Sequence, residues 1–102
     1  MRQLELDETW QRQQGLAVVG VRPRPGYGDQ AGQQARTDTG VPRWIVSAVT
    51  GGGEMLAVTV PATSPPELAR FAPVEFSGLV AGGSQAGLWF AADGVRGVVV
   101  DG

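Results

Sequence analysis

The chain of 102 residues has no cysteine, histidine, lysine or asparagine. Without Cys or His there is no disulfide framework, zinc finger, cysteine nucleophile or serine–histidine couple. Without Lys there is no Schiff base and no P-loop lysine. Long hydrophobic runs are missing too: no stretch approaches the roughly 18 apolar residues of a membrane-spanning helix. The opening MRQLELDETWQRQQ lacks the basic start and apolar core of a secretory signal, so a cytoplasmic location is expected, with no membrane partner.

The residues present describe a turn-rich chain. Hydrophobic residues make up 42%, with 16 Gly and 7 Pro, which favours a β-rich globular domain over a helical bundle or a disordered tail. Net charge is −2, so a uniformly basic surface is excluded. The charge is uneven, however. Residues 21–44, VRPRPGYGDQAGQQARTDTGVPRW, hold half of the arginines: Arg22, Arg24, Arg36 and Arg43 against Asp29 and Asp38 give +2, leaving −4 for the rest. A locally positive arm on an acidic body is the main electrostatic feature.

Alternating apolar residues predict five strands. The first is GLAVVGVR at 15–22, with Ala17, Val19 and Val21 as its apolar face, and RPRPG stops it because proline cannot donate to a ladder. PRWIVSAVT, about 43–50, and EMLAVTVP, about 54–61, flank Gly51-Gly52-Gly53 as a hairpin. TSPPELARF carries a helix-start pattern, with Ser64 as cap, Pro65 in the first turn and Glu67 completing a capping box. PVEFSGLVAG and LWFAADGVRGVVV then read as the fourth and fifth strands around the turn GGSQAG. This order predicts a mainly β, five-stranded OB-like Greek-key barrel, with a long loop between strands 1 and 2 and a short helix between strands 3 and 4. An SH3-like barrel is the main rival. Residues 1–14 form an N-terminal tail or short helix, and 15–102 form the barrel with its arginine-rich arm at 22–43.

Catalytic candidates are few. GYGDQAG imitates a dinucleotide-binding glycine pattern, but its third glycine falls one residue late and no helix follows. Glu75 and Asp93 could form an acid–base pair, yet their strand positions point them to solvent, where carboxylates stay ordinary. The chain reads as a non-enzyme without metal or cofactor.

The arm offers different chemistry, because arginine's planar fork suits phosphate and aromatic rings stack on bases. Arg22, Arg24, Arg36 and Arg43 bracket Tyr27 and would contact phosphates, with Tyr27 and Trp89 stacking bases. Trp89 is assigned to the outer face because it alternates with Leu88 and Phe90; Trp44 alternates with Val46 and Ala48 and is assigned to the core. The competing readings are a solvated loop, a protein-binding regulatory module that recruits a replication or recombination protein with no direct DNA contact, and a dimer contact through Trp89 and GVVVDG.

From Val18 to Gly97, the motifs TDTGVPRW, RFAPVEFSGLVA and GLWFAADGVRG make the chain similar to the actinobacterial plasmid replication, integration and excision activator proteins of integrative conjugative elements. Arginine in place of lysine and abundant Ala, Gly and Val suit such a GC-rich source. The strand order also resembles the filamentous-phage single-stranded-DNA-binding proteins, OB-like dimers with a long hairpin arm. These resemblances imply a single-stranded-DNA-binding protein of a plasmid or integrative element, acting in its replication or excision as a homodimer.

Overall fold

A computed structural model describes residues 3–26, 31–84 and 87–98. Within these residues, eight strands and one helix follow in order: β1 (Gln3–Glu5), α1 (Glu8–Gln14), β2 (Ala17–Pro23), β3 (Arg43–Val49), β4 (Met55–Pro61), β5 (Val74–Ser77), β6 (Val80–Ser84), β7 (Gly87–Ala91) and β8 (Gly94–Gly97). The protein is mainly β, as its alternation predicts. Its main sheet has six strands in the order β1-β6-β7-β4-β3-β2, and β5 and β8 form a separate two-stranded ladder.

The expected fourth and fifth strands each divide in two. They form one bent hairpin, whose β6–β7 half joins the main sheet while its β5–β8 half turns away across the core. The bend lies at Gly78, where φ is 62° and Asp93 N–H donates to the Ser77 carbonyl across the corner. A Cβ on Gly78 would run into the Asp93 carboxylate. Gly78→Ala therefore combines a left-handed conformation with a clash and is expected to cost about 2 kcal/mol, lowering Tm by about 10 °C. Gly83→Ala, where a Cβ meets open space, is the thermal-melt control.

The main sheet does not close into a barrel. β4 and β7 meet as a parallel pair, and β2 reaches the segment before β5 through one bridge, Ala17 to Pro73. Three backbone hydrogen bonds support that contact: Val18 N–H to Ala72 O, Phe71 N–H to Val18 O and Val74 N–H to Leu16 O. Phe71 is held here at φ 65°, a left-handed conformation that costs a bulky residue about 1–2 kcal/mol.

The helix occupies a different place from the one expected between strands 3 and 4. No helix forms at 64–71. Pro66 removes a second N–H and disfavours helical geometry at Pro65, so the capping-box pattern fails. The helix instead forms at Glu8–Gln14. Asp7 caps it by accepting from Trp10 N–H at 2.9 Å, and Gly15 ends it at φ 66°. Gln11 docks it: buried, its amide accepts from Phe76 N–H at 2.7 Å and donates to Phe76 O at 3.0 Å, as a neighbouring strand would.

The core contains Val18, Val46, Val58, Val60, Phe76 and Leu79, all essentially inaccessible. In β2 the expected inward face is only half right, because the register shifts between Val18 and Gly20. One extra residue there switches faces, so Leu16 and Val18 are buried while Val21 packs inward beyond the bulge. Two other expectations are corrected. Trp44 is only partly buried, its indole N–H bonding to Ala62 O at the sheet's end. Glu75, expected in solvent, is buried, because β5 carries α1 on its outer side.

Candidate nucleic-acid interface

The strand register determines which side chains share the face away from the core. Arg22 pairs with Ile45, Ile45 with Thr59, and Thr59 with Ala91, forming one row across β2, β3, β4 and β7. The adjacent outer row runs Gly20, Ser47, Ala57 and then Trp89, which precedes the Phe90 paired with Val58. The intervening row, Val21, Val46, Val58 and Phe90, packs on the core. Arg22 and Trp89 thus lie on the same outer face, three strand spacings and one outer row apart, roughly 16 Å. The floor between them consists of Ile45, Ser47, Ala57 and Thr59.

The arm arranges the other cations. Arg24 N–H donates to Arg43 O at 3.1 Å, so Arg24 and Arg43 face each other one outer row beyond Arg22. Arg24 Nη1 then reaches across β3 to Thr59 Oγ1 at 2.7 Å. Ile45 and Thr59 are both buried although they lie on this face. The guanidinium is held in place while, among the described residues, no ion pair engages its remaining donors.

Residues 31–43 are not a loose tether. Pro25 and Gln34 form one antiparallel bridge, and Arg36 bridges Pro42 to close a small second hairpin. Ala35 joins them to the sheet end, bonding to Arg24 O and accepting from Arg43 N–H, both at 2.8 Å, and Gln34 Nε2 donates to Arg43 O. Arg36 sits on the second hairpin and donates to Gly40 O at 3.0 Å. Tyr27 lies outside the described residues.

Trp89 is half-buried because its indole covers Gly82, its cross-strand partner on β6. A Cβ on Gly82 would overlap the ring. The ring is thereby fixed as a platform at one end of that floor. Among the described residues, no ion pair engages Arg22, Arg24 or Arg43, and Arg43 Nε is buried without a hydrogen bond. No cluster of described residues is placed to hold a metal, and no described helix is long and apolar enough to cross a membrane.

Of the expected site residues, Arg22, Arg24, Arg43 and Trp89 come together on one face, and Arg36 stands apart on its hairpin. Thr59 and Gly82 were missed. Gly82 was hidden because its sequence position reads as part of the turn GGSQAG, whereas the strands continue to Ser84 and Gly87 and so set Gly82 opposite Trp89. Thr59 was hidden too, because its partner lies 35 residues away.

These features define a class: a small, mainly β protein with a preorganised cationic and aromatic sheet face. Comparison with family models, with curated proteins and with solved structures finds no match to the chain.

Proposed function

We propose that the chain is a non-enzymatic, OB-like module that binds single-stranded DNA on the outer face of β2, β3, β4 and β7. The carrying observation is that Arg22, Arg24 and Arg43 share that face with Trp89, with no carboxylate pairing the three arginines among the described residues. Single-strand binders combine these parts, a cationic track for phosphates and a ring on which bases stack. The strand order supports an OB-like description: a β2–β3–β4 meander, β7 parallel beside β4, and a β2 contact with the segment entering β5. A role in the replication or excision of a mobile element, and action as a homodimer, rest on the motif resemblance and belong to the same proposal.

Fluorescence anisotropy with labelled single- and double-stranded oligonucleotides at two salt concentrations tests this reading. Single strands are expected to bind more tightly, with a log–log salt slope of about −2 for three contacted phosphates. No binding at low salt, or binding indifferent to salt, would end the proposal. Trp89→Ala is expected to remove about 1–3 kcal/mol of affinity, with Trp89→Phe retaining most of it.

A further inference from the structure

The outer face does not end at Trp89. Beyond β7 its rows cross β6 and reach β1: Ala91 pairs with Val80 and Val80 with Glu5, while Trp89 pairs with Gly82. The row that begins at Arg22 therefore finishes at Glu5, five strand spacings away on the opposite edge of the sheet. One end of the face is cationic and the other carries a carboxylate. Glu5 is exposed, and among the described residues no ion pair or hydrogen bond engages its side chain.

The tryptophan ring leans toward that carboxylate. Because the indole lies over Gly82, it occupies the strand next to β1. Glu5 pairs with Val80, two residues before Gly82 and so on the same side of β6. Such diagonal neighbours stand about 7–8 Å apart, a gap that a long side chain spans. A base stacked on the outward side of the indole thus places its edge beside Glu5.

The charge at this end selects what can face it. A carboxylate repels phosphate, so the sugar–phosphate chain stays toward Arg22, Arg24 and Arg43, and the group opposite Glu5 has to offer hydrogen-bond donors. Among unpaired bases, guanine presents N1–H and N2–H side by side, a match for both carboxylate oxygens, while cytosine and adenine each present one amino group. Thymine presents only N3–H, flanked by two carbonyl oxygens that the carboxylate repels. On the single-strand reading of this face, on which the inference rests, we propose that Glu5 is a specificity-determining residue: it accepts from the amino-bearing edge of the base stacked on Trp89 and disfavours thymine there.

The test is fluorescence anisotropy of the full chain at neutral pH and low salt with three labelled hexamers: all-thymidine, all-cytidine, and thymidine carrying one guanosine. Wild type is expected to bind the guanosine hexamer about fivefold, and the cytidine hexamer about threefold, more tightly than the thymidine one. Glu5→Ala and Glu5→Gln should each bring the three affinities within about twofold of one another, since neither offers a carboxylate to an amino group. Glu5→Gln keeps the side chain's length and decides the matter if Glu5→Ala frays the three-residue β1. Trp89→Ala should erase the preference as well, because no base is then held beside Glu5. Equal binding of all three hexamers by wild type, or a preference that survives in Glu5→Gln, overturns the proposal and leaves the DNA face standing. So does a rise by the same factor for all three in the Glu5 variants, which would make Glu5 a general repulsive charge. If no hexamer binds, the DNA-face reading itself fails, and the base preference fails with it.

Discussion

Arg22→Ala/Arg24→Ala is expected to weaken binding of a single-stranded oligonucleotide about a hundredfold at low salt. A charge-assisted hydrogen bond to phosphate contributes about 1.5 kcal/mol or more. The more exposed Arg22 deserves a lower figure near 1 kcal/mol, and each 1.4 kcal/mol is tenfold in affinity. The salt slope should become shallower by about 1.4, two phosphates at about 0.7 each. Arg70→Ala supplies the control: it removes one charge elsewhere, from a guanidinium stacked 5.0 Å over Phe71, and should change affinity less than about twofold. If Arg70→Ala does as much harm as either face substitution, net charge rather than this site governs binding. Loss of Arg24 should also leave the buried Thr59 Oγ1 without its donor, so a small fall in Tm is expected beside the functional loss.

The second large effect concerns stability. Gln11→Ala strips Phe76 of the partner for both its N–H and its carbonyl, deep under α1. Two buried backbone groups left unpaired cost about 3 kcal/mol together, a large share of the 5–15 kcal/mol typical of a domain. Urea denaturation should show that loss, and the exposed Gln13→Ala should show almost none. Gln11→Glu discriminates between shape and bonding, since it keeps the acceptor for Phe76 N–H but cannot donate to Phe76 O or Leu6 O when ionised. If Gln11→Glu matches wild type, packing rather than hydrogen bonding docks the helix.

These two sites differ in how far the sequence revealed them. Arg22, Arg24 and Trp89 were visible as residue types suited to phosphate and base, and Trp89 declared its face by alternating with Phe90. Gln11 gave no such signal. It stands in a glutamine-rich stretch, QRQQ, where three similar side chains compete and only the placement of β5 decides which is buried. The helix expected at Ser64 shows the opposite failure, a local pattern cancelled by the neighbouring Pro66.

What the chain settles by itself is local: mainly β structure, the hairpin at Gly51–Gly53, and the exclusion of cysteine, histidine and lysine chemistry. Turn glycines and a two-residue alternation act within a few positions, so they can be read in order along the chain. Tertiary structure alone decided that Arg24 crosses to Thr59, that the last hairpin bends at Gly78 and that Glu75 is buried beneath α1. Each of these joins residues brought together only when distant strands bury a common core, and no local preference encodes such a pairing.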